Sequence, residues 1–221
     1  MKPNVTSVVE DPDLVEKRRA QIVTAATELF ADQGFHRTTV KDIAKKAGVS
    51  PGLVYLYVRE KEDVLLLVLL EVFRVQAEDL PKALDGIDDP LARVVAVIEA
   101  LVRAVDRARA AVVLAQRSTA TLTPERRLLV REREREIADL VAAVLVDAMK
   151  ARLVRRIDVD VATHQIVTIA QGWALRSWHF KGRIALDAWL ASTLDILITG
   201  LATPEGLERW AALRADNEAK P

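Results

Sequence analysis

Cysteine is absent from this 221-residue chain. Disulfides, thiolate nucleophiles and cysteine-bound metals are excluded together. Aromatic residues make up only 5% of the chain and glycine occurs eight times. The glycines are scattered, so no phosphate-cradling loop exists, and a GxSxG nucleophile turn is also missing. Three histidines, His36, His164 and His179, form no HxxxH or HExxH pair. Asp160 and His164, four residues apart, read as a helix-end ion pair and not as a metal site. These absences predict a protein that is not an enzyme and needs no cofactor or metal. Long apolar runs are missing too: Val64 to Leu70, which no run exceeds, falls far short of the ~18 residues a bilayer crossing requires. Residues 1 to 13 hold two prolines and lack the apolar stretch of a signal peptide, so they read as a flexible arm. The expectation is a cytoplasmic protein with no membrane partner.

An excess of either charge is absent overall, with 32 Lys and Arg against 32 Asp and Glu. The balance is uneven along the chain. Residues 15 to 61 hold nine Lys or Arg against five acids, leaving this segment at +4 and the remainder at −4. That places positive potential where a polyanion would sit.

What is present within this segment is TTVKDIAKKAGVSPGLVYLYVREK, residues 38 to 61. Val40, Ile43, Ala44 and Ala47 fall at i, i+3, i+4 and i+7, the apolar stripe of a short helix. Thr39 and Asp42 have the spacing of a capping box, and Gly48 supplies the left-handed residue a tight turn favours. Ser50 can cap a second helix with Pro51 at its first position, where a missing N–H costs nothing. That helix buries Val54 and Val58 and turns Gly52 and Leu56 outward, beside Leu53 and Tyr55. Two short helices around a glycine turn, with one uncharged face left exposed, form a DNA-reading unit. A preceding helix carries Ile22, Val23, Ala26, Leu29 and Phe30 on its apolar side and ends at Gly34.

At these residues the chain resembles the TetR family of bacterial transcriptional regulators, closely over residues 15 to 65 and in layout beyond. The run LFADQGFHRTTV and the series Val54, Tyr55, Leu56, Tyr57, then Lys61 and Glu62, carry the likeness. Leu53 departs from it, since a Thr or Ser that touches phosphate usually stands there, and Val58 replaces a usual Phe. The resemblance implies an all-α protein: an amino-terminal three-helix helix-turn-helix domain (14–61), a larger helical ligand-binding and dimerisation domain (62–203) and a tail (204–221). Expected phosphate contacts are Thr38, Thr39, Lys41, Ser50, Tyr55, Tyr57 and Lys61. Pro51, Gly52, Leu53 and Leu56 are expected against base edges or sugars. The partner is a double-stranded operator with an inverted repeat. A helical adaptor whose amino-terminal unit binds protein is the alternative.

Beyond Lys61 the chain reads as successive helices broken at Pro81, at residues 86 to 90, at Thr123-Pro124, at residues 156 to 158, at Lys181-Gly182 and at Gly200. Residues 64 to 73 are apolar on nearly every side, which predicts burial all round. The alternating charges of RERERE, 131 to 136, predict a solvated face. Helices over 160–180 and 186–201 carry more apolar surface than one core uses, so a second copy of the chain is expected on them, through Leu190, Leu194, Leu197 and Ile198. Gln116, His164, Trp173 and Trp178 are the candidate lining of a pocket for a small lipophilic effector. The layout of residues 157 to 189 is similar to the branch of the family that senses acyl-CoA thioesters.

Overall fold

Capping decides where the helices begin. In the computed structural model, which describes residue 5 and residues 7–218, Thr39 Oγ accepts from the Asp42 N–H at 3.2 Å while an Asp42 carboxylate oxygen accepts from the Thr39 N–H at 2.9 Å. Ser50 Oγ accepts from the Leu53 N–H at 3.2 Å, and Gly48 takes φ 68° in the turn between. These signals bound α2 (Val40–Lys46) and α3 (Pro51–Tyr57), which follow α1 (Pro12–Gln33). The remaining helices are α4 (Lys61–Ala83), α5 (Pro90–Arg107), α6 (Arg109–Ser118), α7 (Pro124–Lys150), α8 (Val159–Phe180), α9 (Leu186–Leu201) and α10 (Pro204–Glu218). A 3-10 turn, Thr119–Thr121, joins α6 to α7. Among the described residues there is no named strand, only an isolated bridge between Val154 and Ala202. The all-α expectation holds.

Residues 1–4 and 6 of the expected arm, and 219–221 of the expected tail, lie outside the described residues. The rest of both segments differs from the expectation. Asp11 accepts from the N–H groups of Asp13 and Leu14 at 3.0 and 3.2 Å, so Pro12 opens α1 instead of closing an arm. The tail is α10, whose Trp210 is buried. Helix α4 also runs two residues past Pro81 before the turn at Gly86, φ 70°.

The chain forms two compact units that interleave in sequence: residues 1–74 with 108–134, and residues 75–107 with 135–221. The first of these units extends past residue 61 and takes in α6, which packs on α1. Its core holds Ile22, Ala26 and Phe30 of α1, Ile43 and Ala44 of α2, Val54 of α3, and Val58 just beyond it. Val64 to Leu69 of α4 are all buried, as the apolar run predicts. In the second unit α5 lies against α8, α9 and α10. The buried side chains there include Leu91, Ile98 and Leu101 of α5, Ile166 and Trp173 of α8, and Leu190, Leu194 and Ile198 of α9. The Trp173 indole N–H donates to Asp106 at 2.6 Å, and its ring lies 5.0 Å from that of Trp189. At the start of α10, a Cβ on Gly206 would lie 2.0 Å from the Leu153 carbonyl oxygen. Only glycine lets these two segments approach so closely.

Candidate nucleic-acid interface and effector cleft

The first unit presents α3 along one outward face. Pro51, Gly52, Tyr55 and Leu56 are exposed and Leu53 is half-buried, while Val54 on the opposite side is fully buried. Tyr55 is 51% and Leu56 39% exposed, large groups that stand partly open to solvent. Around this face stand exposed donors: Thr39 and Lys41 at the start of α2, Lys45 at its end, and Ser50. Thr39 already donates to Asp42 at 2.6 Å, and this bond above all holds the Asp42 carboxyl below the usual carboxylate range. The face combines base-sized apolar groups with a cationic margin, the chemistry that suits a groove lined by phosphates.

Three residues expected to touch phosphate are turned inward. Thr38 is fully buried, and its hydroxyl donates to the Gly34 carbonyl at 2.9 Å. Tyr57 is buried beneath α3. Lys61 donates to the carbonyls of Phe35, His36 and Thr38 at 2.8, 3.3 and 3.0 Å, with its ammonium 4.3 Å from the Phe35 ring centroid. All three of its N–H donors are thereby occupied, so Lys61 anchors the turn between α1 and α2. Exposed Lys45 and Arg37, which sequence reasoning passed over, stand on the surface of the same unit. Their signal was only their charge.

A buried carboxylate fixes the exit from α3. Asp63 accepts from the N–H groups of Arg59 and Glu60 at 2.8 and 3.3 Å and pairs with Arg126, which also meets Glu60 at 2.7 Å. The start of α7 is thus tied to the start of α4 inside the first unit.

The candidate effector residues do not converge. Gln116 lies exposed on α6 in the first unit, and His164 is exposed on α8 in the second. Trp173 belongs to the core, whereas Trp178 is 67% exposed. Five residues rotate a helix by about 140°, so two tryptophans so spaced cannot face one pocket. The second unit instead contains an open cleft of about 670 Å³ lined by Val75, Asp79, Ala83, Ile87, Ala96, Glu99, Ala100, Arg103 and Arg107. Burial pushes the Glu99 carboxyl up, opposed by Arg103. Arg103 pairs with Asp187 at 2.8 Å and Arg107 pairs with Asp79. The cleft therefore mixes apolar Val75, Ala83, Ile87, Ala96 and Ala100 with charged Asp79, Glu99, Arg103 and Arg107, and is large enough for part of a drug-sized molecule.

The interface residues expected on α9 are corrected similarly. Leu190, Leu194 and Ile198 are buried in the protomer's own core and Leu197 is half-buried. The outward side of the second unit carries other apolar groups: Val161 and Trp178 on α8, and Ile196 on α9, which is 73% exposed.

Among the described residues no group of His, Asp or Glu has the geometry to hold a metal, and no helix is long and apolar enough to cross a membrane. Residues 22–68 match the family model of bacterial regulatory proteins, tetR family, and residues 88–201 match that of the tetracyclin repressor-like carboxy-terminal domain. The HTH-type transcriptional regulator HbdR of Aromatoleum sp. (strain CIB) is 35% identical over 98% of this chain and 94% of its own length. The HTH-type transcriptional repressor KstR2 of Rhodococcus jostii is 29% identical over 85% and 92%. The structure of AibR in complex with isovaleryl coenzyme A and operator DNA matches with a TM-score of 0.71 at 21% identity, over 82% of this chain and 98% of that one.

Proposed function

Since the chain belongs to the TetR family of bacterial regulators, and is a DNA-binding transcriptional regulator with a helix-turn-helix unit, we propose that it is a repressor that binds an inverted-repeat operator as a homodimer. A small lipophilic effector, of the acyl-CoA thioester class, releases it. The observation that carries the reading is the outward face of α3, where a capped, packed helix holds Pro51, Gly52, Tyr55 and Leu56 exposed with Leu53 half-buried beside them. Thr39, Lys41 and Ser50 supply the flanking phosphate contacts; Thr38, Tyr57 and Lys61 hold the unit's shape.

The effector class rests on two supports. The cleft beside α5 has apolar residues in its lining, and a relative of the same fold holds isovaleryl coenzyme A together with operator DNA. Dimerisation through α8 and α9 rests on Val161, Trp178 and Ile196, apolar groups that water would otherwise cover. Fluorescence anisotropy on duplexes tiling the DNA upstream of the chain's own gene tests the whole reading. One duplex holding an inverted repeat, with half-sites about one helical turn apart, is expected to bind and to be released by a medium-chain acyl-CoA. Binding unaffected by any thioester would remove the effector class. Equal binding to every duplex would remove the operator.

A further inference from the structure

The last carbonyls of a helix have no partner within it, and a seven-residue helix is too short to be stable without help. In α3 the Val54 carbonyl accepts from the Val58 N–H. The carbonyls of Leu56 and Tyr57, its last two residues, are met from far away in sequence. Leu56 O accepts from the Val8 N–H at 2.8 Å and from the Ser7 hydroxyl at 3.1 Å. Tyr57 O accepts from Arg19 Nε and Nη2 at 3.2 and 3.1 Å. The same guanidinium donates to the Val5 carbonyl at 2.5 Å, and the Val5 side chain is buried. Ser7 Oγ in turn accepts from the Val9 N–H at 3.1 Å. One arginine on α1 therefore clamps the segment before α1 onto the end of the reading helix.

The segment does more than close a helix. Val8, held by its backbone at Leu56, leaves its side chain 75% exposed beside exposed Tyr55 and Leu56. A helix of seven residues is about 10 Å long and the major groove about 12 Å wide, so what is fastened to its end falls within the groove's reach. We propose that Ser7, Val8 and Val9, clamped by Arg19, are a second DNA-contacting element that extends the reading face past the end of α3 and sets Val8 against the sugar-phosphate wall.

This inference rests on α3 being the reading helix. Because the Val8 side chain points outward, its substitution leaves folding untouched, and charges of opposite sign give opposite expectations. The probe is a duplex recovered by binding-site selection with the wild-type chain, titrated at several salt concentrations. Val8→Lys is expected to strengthen binding and steepen the salt slope by about 1.8, as each protomer of the dimer neutralises one more phosphate. Val8→Glu is expected to weaken binding about tenfold or more, with both thermal midpoints at the wild-type value. Wild-type affinity and slope in both variants would overturn the contact while leaving the reading helix in place. Failure of the wild-type chain to select any duplex would overturn both. Arg19→Ala checks the clamp: amide exchange at Val8 is expected to accelerate, and unchanged exchange would mean that Arg19 does not hold the segment.

Discussion

A polar side chain beside a DNA-reading face looks the same in a sequence whether its donors find a phosphate or a carbonyl. Lys61 illustrates this. Its ammonium satisfies the carbonyls of Phe35, His36 and Thr38, three groups of a turn that no helix provides for. Hydrogen bonds to a charged donor contribute about 1.5 to 3 kcal/mol when well placed, and the half-buried setting of Lys61 brings the value toward the lower limit. Lys61→Met is therefore expected to lower stability by about 2 kcal/mol, roughly 4 to 8 °C in melting temperature for a chain of this size, while the salt slope of operator binding stays unchanged. A normal melting temperature with a slope reduced by about 2, one phosphate lost per protomer of the dimer, would return Lys61 to the phosphates. Thr38 and Tyr57 follow the same logic, one bonded to Gly34 and the other buried under α3.

Elements whose boundaries are written locally were legible in the sequence. Thr39 with Asp42, Gly48, and Ser50 with Pro51 each fix a helix end within four residues, and the structure reproduces all of them. The faces of α9 were not legible. Its apolar residues include Leu190, Leu194, Leu197 and Ile198 but also Trp189 and Ile196, so periodicity cannot say which side turns inward. The strap before α1 escaped for a different reason, since its bonds to Leu56 span nearly fifty residues and those of its Arg19 clamp to Tyr57 span 38, which leaves no local pattern. Burial separates the two sides of α9, and with them two expectations. Leu194→Glu would place an unpaired charge in the protomer core and is expected to unfold the second unit, a loss beyond about 4 kcal/mol. Ile196→Asp changes an exposed residue, so a monomer with native circular dichroism is expected by sedimentation, together with lost operator binding. A folded Leu194→Glu monomer beside a dimeric Ile196→Asp variant would put the interface back on the buried side.

Across the whole molecule, the division into units passes through two helices, α4 and α7, of which α4 lines the cleft. The helix is continuous from Lys61 to Ala83, while the first unit ends at Arg74 and the second takes up at Val75. Its first half leaves α3 through the Asp63 and Arg126 pair, and its second half contributes Val75, Asp79 and Ala83 to the cleft. An effector can loosen DNA only by binding one arrangement of the dimer better than another, and such couplings amount to about 1 to 3 kcal/mol. α4 carries Asp63 in the first unit and the cleft residues Val75, Asp79 and Ala83 in the second, so it is the helix on which such a difference is tested. Leu67, buried within the apolar run of α4, does not line the cleft. Leu67→Ala leaves a space that lets the helix settle in more than one position, at a stability cost of about 2 to 5 kcal/mol. The variant is therefore expected to bind the acyl-CoA with nearly wild-type affinity yet to lose most of the coupling, so that saturating effector changes its operator affinity less than threefold. Paired titrations of effector and operator, each in the presence and absence of the other, measure this directly, because the coupling must be equal in both directions. Weakened effector binding with wild-type coupling would place the connection in a helix other than α4.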